Sequence, residues 1–163
     1  MIVIADSGPL RYLIVIEYVD LLPLLYGNIV IPPGVIDELT HTAAPESVRL
    51  WMGKLPEWVA IRSPQEMLSG LSSALGLGER EAIALSEELA ADVLLVDDEA
   101  ARFEAEKRKI PVQGTLGILD LAAEHGFLAD LPGALEKLRD TNFRASKRLF
   151  NFFLDRDAHR KKQ

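Results

Sequence analysis

At 163 residues, with 48% hydrophobic and 26% charged side chains, the chain has the makeup of one globular domain and not of a disordered tract. It contains no cysteine, which excludes a disulfide framework, a thiolate metal site and a thiol nucleophile. A net charge of −7 is the wrong sign for a non-specific duplex binder, although carboxylates clustered to hold cations would give the same sign.

In chain order, "IVIAD" is the first strand candidate and is followed by two short helices near 8 to 16 and 18 to 25. "NIVIP" (28–32) reads as a second strand, and "PPGVIDELTH" as a helix whose prolines suit its first turn. A surface helix covers 45–54, and "WVAIR" (58–62) is a weaker third strand. The segment "GEREAIALSEELA" is amphipathic, "VLLVDD" (93–98) is the strongest central strand, and "DEAARFEAEKRK" places acids first and bases last, as the helix dipole prefers. A short strand "IPVQG" (110–114) precedes helices near 114 to 125, 130 to 140 and 144 to 155. Apolar strands alternating with helices predict an α/β fold, a three-layer α/β/α sandwich around a mostly parallel twisted sheet. One domain is expected over 1–155, with 156–163 a charged, solvated tail. The opening residues read as a strand and not a signal peptide, and no apolar run approaches the about 18 residues that span a membrane. A cytoplasmic location is the expectation.

In an open parallel sheet, ligands bind beyond the C-terminal strand edges. Asp6 ends the first strand, and Asp97 and Asp98 end the fourth. Glu38 borders the Val35/Ile36/Leu39 apolar face of its helix, and Glu81 stands beside Ala82, Ile83 and Leu85. Each has a structural alternative. Asp6 and Asp98 suit helix N-caps, Glu79 and Glu81 suit a helix N-terminus, and Glu38 suits a solvated face. Converging on one edge, however, the acids would repel by roughly 4 kcal/mol per close pair at an effective dielectric of about 20. A cation relieves that repulsion. Oxygen donors without cysteine or a histidine pair select Mg²⁺ or Mn²⁺ over zinc. His41, His125 and His159 are scattered and read as surface or structural residues.

The ordered set "IADSGPL", "IPPGVIDEL", "LGLGEREAIALSEEL" and "VLLVDDEAARFEAEKRKIPVQGTLGIL" resembles the PIN-domain nucleases, in particular the compact prokaryotic branch of VapC-like toxins. The resemblance runs through most of the chain. It implies metal-binding, catalytic acids at Asp6, Glu38 and Glu81, with Asp98, Asp97 or both as the fourth position. Ser7 and Thr115 would help to order the site, and Glu79 remains a helix-cap acid. The implied activity is a Mg²⁺- or Mn²⁺-dependent endoribonuclease, the toxin of a type II toxin–antitoxin pair. A homodimer and a small antitoxin that blocks the site are the implied partners besides RNA.

Competing readings meet specific obstacles. A haloacid-dehalogenase-like phosphatase needs a second acid two residues after Asp6, where Gly8 stands. A receiver domain needs its acid pair near the first strand. "GLGLG" lacks the strand-before, helix-after context of a dinucleotide fingerprint, and its glycines suit a turn before "GEREAI". A PIN-like scaffold without metal is the non-enzymatic alternative. In the C-terminal segment, Phe143, Leu149, Phe150, Phe153 and Leu154 either cover the core or form a partner face. In the second case Arg144, Lys147 and Arg148 are available to RNA phosphates.

Overall fold

Short runs of valine, isoleucine and leucine, too brief for buried helices, form five strands in a computed structural model covering residues 1–163. These are β1 (Val3–Ala5), β2 (Ile29–Ile31), β3 (Val59–Ile61), β4 (Val93–Leu95) and β5 (Val112–Gln113). All are parallel, in the order β3-β2-β1-β4-β5, with Ile4 opposite Val30 on one side and Leu94 on the other. The sheet is therefore wholly parallel, where the sequence reading allowed an exception.

The helices are α1 (Ser7–Val15), α2 (Leu21–Tyr26), α3 (Pro33–Thr40), α4 (Glu46–Met52), α5 (Leu77–Glu88), α6 (Glu99–Lys107), α7 (Thr115–Glu124), α8 (Leu131–Arg139) and α9 (Lys147–Lys161). Of the residues after Arg156, expected to be a solvated end, 157–161 belong to α9, and Asp157 is buried there. No helix is long and apolar enough to cross a membrane.

Alternation along the strands divides the core into two layers. Val3, Ala5, Ile29, Ile31 and Leu95 face the larger cluster, completed by side chains from α1 to α4 and α7 to α9. Ile4, Leu94 and Val96 face a smaller cluster with α5, α6 and Ile110. The charged "EAARFEAEKRK" segment needs only Ala101 and Ala105 to sit against the sheet. Phe150 is buried, and Phe143, Phe153 and Leu154 pack against the larger core, whereas Leu149 stays 42% exposed.

Because every strand runs the same way, α1, α3 and α7 all begin at one edge, immediately beyond β1, β2 and β5. The chain turns from β1 toward β2 and β3 on one side, and later to β4 and β5 on the other. The crevice beyond β1 and β4 is thus the topological switch point of the sheet, where open α/β folds bind ligands.

Candidate active site

Asp6 and the Asp97-Asp98 pair lie beyond those two adjacent strands, and the Asp6 N–H donates to the Leu95 carbonyl at 2.9 Å. Asp6 is only 3% exposed, holds the N-cap position of α1 without a side-chain capping bond, and leaves its Oδ1 without a partner. A capping role therefore does not account for it. Asp97 is clamped instead, with Thr115 N–H and Oγ1–H donating to its two oxygens at 2.7 and 2.6 Å. Thr115 is fully buried at the start of α7, so this clamp ties the end of β4 to the end of β5. Asp98 caps α6 by accepting from the Ala101 N–H at 2.9 Å and remains exposed.

Glu38 reaches the same edge from α3, where its Oε2 accepts the Ser7 hydroxyl proton at 2.6 Å. Its approach depends on two glycines. A Cβ on Gly34 would stand 3.0 Å from Gly78 Cα, and one on Gly78 would stand 2.5 Å from Glu38 Oε1. Glycine at both positions lets α3 and α5 meet backbone to backbone at their N-terminal ends.

Glu81, expected among the metal-binding acids, is engaged elsewhere: its Oε1 accepts the Gly34 N–H at 2.6 Å, an orphan donor in the first turn of α3. The α5 acid placed beside Asp6 and Asp98 is Glu79. Its Oε1 reaches back to the Gly76 N–H at 3.4 Å, and its Oε2 is buried without a partner. From the sequence Glu79 reads first as a helix-cap acid, with contact to the site as the minor alternative. The missed signal is the Gly78-Glu81 spacing: residues three apart share a helix face, here the face turned to α3.

Crowding of these acids is visible in their proton affinities. Burial, with the charges of Glu38, Asp97 and Asp98 adding to it, pushes Asp6 up to about 7 while the Ser7 N–H opposes. Burial pushes Glu79 up to about 8, helped by the Asp6 charge and by the neighbouring Asp98 carboxylate. Burial also raises Asp97, against the pull of the Thr115 donors and the Arg102 guanidinium. Two partnerless carboxylate oxygens among like charges are the donor chemistry of a hard divalent cation. Even so, no three acids or histidines converge at metal-ligating distance as the side chains stand.

The remaining predicted residues separate. Arg144 lines a cleft that starts at Asp97, whereas Lys147 and Arg148 project from the first turn of α9 into solvent. His41, His125 and His159 are all exposed, and His41 Nδ1 accepts the Ala43 N–H at 2.9 Å.

A family model described as a PIN domain matches residues 2–158, and the chain belongs to that family, with its nuclease-type fold. Among solved structures it is similar to a PilT N-terminus domain protein from the hyperthermophilic archaeon Sulfolobus solfataricus. The TM-score is 0.52 at 13% identity, over 90% of this chain and 100% of that one, a likeness of fold. No curated protein matches.

Proposed function

We propose that the protein is a divalent-metal-dependent ribonuclease that hydrolyses RNA phosphodiester bonds at the acids beyond β1 and β4. The observation that carries this reading is the pair of buried, partnerless oxygens, Asp6 Oδ1 and Glu79 Oε2, in a ring of like charge. Asp6, Glu38 and Glu79, with Asp98 and Asp97, are the residues that would hold Mg²⁺ or Mn²⁺, Glu79 taking the place first given to Glu81. Such an ion, when bound, lowers the pKa of a water and neutralises charge on the leaving oxygen. The protein's own groups set the stage for it. The Ser7 hydroxyl orients Glu38, and Thr115 orients Asp97. An Asp6 carboxyl near pKa 7 releases its proton readily once a cation competes for it.

The resemblance to VapC-like toxins supports a finer reading as the toxin of a type II pair, a homodimer blocked by a small antitoxin. Growth arrest on expression, relieved by Asp6→Asn, and a dimer mass by light scattering are its expected signs. What favours the metal-free scaffold as a second reading is that no three ligands stand preassembled. Calorimetric titration with Mn²⁺ separates the two, because a scaffold gives no binding that Asp6→Asn abolishes. The activity test is cleavage of a labelled RNA with Mn²⁺, with Mg²⁺ and with EDTA. Cleavage equal in Asp6→Asn and wild-type protein would overturn the ribonuclease reading.

A further inference from the structure

Next to the acids, a cleft of about 410 Å³ runs from Asp97 and Gly114 between α7 and α9. Its wall carries Arg102, Arg144 and Arg156 with Phe143 and Phe152, a basic and aromatic lining in a chain of net charge −7. The three arginines are not equivalent. Arg156 is spent on Asp120, its Nε donating to Oδ2 at 3.2 Å. Arg102 and Arg144 have no acid within ion-pair distance.

The place of Arg102 is built into the fold. A Cβ on Gly114 would stand 2.7 Å from its Nη1 and 3.0 Å from Asp97 Oδ1, so glycine is what admits the guanidinium at the strand edge. The aromatic side is fixed as well. Phe143 is held edge-on by Tyr12 at 5.0 Å and by Phe150 at 6.3 Å, while Phe152 packs on Phe153 at 5.2 Å and stays 53% exposed.

We propose that this cleft seats an unpaired nucleotide flanking the scissile phosphate, its phosphate on Arg102 and Arg144 and its base against Phe143 and Phe152. Stacking on a ring face requires an unpaired base, which selects a single strand over a duplex. Free guanidinium donors beside a ring of acids supply the attraction that a polyanion otherwise lacks at this edge. The inference rests on the ribonuclease reading for what happens to the neighbouring phosphate, and not for the binding itself.

The test separates the two. A fluorescein-labelled single-stranded oligoribonucleotide is titrated in EDTA against full-length Asp6→Asn protein, so that nothing is cut, over a salt series. Arg102→Gln and Arg144→Gln each weaken binding at least fivefold. Together they lower the slope of log K against log salt by about 0.7, the loss of one phosphate contact on a single strand. Phe152→Ala weakens binding at least fivefold with the slope unchanged, as lost stacking requires. Lys54→Gln, an exposed charge outside the cleft, leaves binding as it was. Arg144 and Phe152 are exposed, so their variants hold the test even where Arg102→Gln unfolds the protein. Binding unaffected by Arg144→Gln and Phe152→Ala while wild-type protein cleaves RNA would overturn the cleft and spare the nuclease. Equal affinity for a blunt RNA duplex, or displacement by a short polyglutamate peptide at equal charge, would overturn it too. Cleft-dependent binding without metal-dependent cleavage supports the cleft and removes the nuclease.

Discussion

Glu79 and Glu81 stand two residues apart at the start of α5, on sides of the helix that differ by about 200°. Only one of them can face Asp6, and the phase is set by Gly78 resting on Gly34, a tertiary contact that neither acid announces. The two carboxylates therefore respond to different measurements. Glu79→Gln is expected to weaken Mn²⁺ binding at least tenfold by calorimetry while leaving folding nearly unchanged. Glu81→Ala is expected to bind Mn²⁺ as wild type and to lose about 1–3 kcal/mol in urea unfolding, because a backbone donor of α3 is left unpaired. The reverse pattern would return Glu81 to the site. The place of Asp6 at the sheet edge was legible from its strand-end position, but its part there was not, since a helix N-cap fits the same position and only the other acids weigh against it. The Asp98 cap was legible as well, whereas the hold on Asp97 was not, because the Thr115 that clamps it comes from the far end of another strand.

At the scale of elements, the strands and helices stand where their hydrophobic patterns place them, with ends displaced by a few residues except at α9, which runs on to Lys161. The central strands β1, β2 and β4, buried or half-buried along their whole length, leave little room for another assignment. The last helix is where local composition misleads. "DRDAHRKK" looks like a solvated tail, yet Arg160 Nη1 donates to Asp120 Oδ1 at 2.8 Å, and Lys161 pairs with Asp157 Oδ2 at 2.9 Å. Only the packing of α9 on α7 turns those charges into a fastening. Asp120 is 7% exposed, so removing it strands two arginines against the helix. Asp120→Ala is expected to cost about 2–3 kcal/mol, reduced from the fully buried case because Arg156 is partly exposed. Faster amide exchange should be confined first to 147–161. Exchange unchanged there would mean that apolar packing alone holds α9. At the other crossing, Gly78→Ala forces α3 and α5 apart, with an expected loss of about 1–3 kcal/mol. Here the displaced group is Glu38, so Mn²⁺ affinity should fall along with stability.

For the whole molecule, the acids at the sheet edge make stability depend on pH with an unusual sign. A carboxyl whose folded pKa is raised holds its proton better in the folded state than in the unfolded one. Stability is then greatest below the unfolded pKa and is lost as pH rises. For Asp6 the loss runs from about 4, its unfolded value, to about 7, and for Glu79 it runs on to about 8. The Asp6 shift corresponds to a loss on the order of 4 kcal/mol at most, since neighbouring acids share the same protons. Urea unfolding in EDTA should therefore give a midpoint that falls steadily between pH 4 and pH 8, where most proteins are near their plateau. Asp6→Asn should flatten the lower part of that slope and leave the protein more stable than wild type at pH 7.5, a trade of stability for function. Mn²⁺ at 100 times its dissociation constant should restore about 2.7 kcal/mol to wild-type protein and nothing to the variant. The restoration should vanish below pH 5, where protons occupy the same oxygens. A midpoint that stays level from pH 4 to pH 8 without metal would mean that the acids relax apart into solvent, leaving a cation no repulsion to relieve.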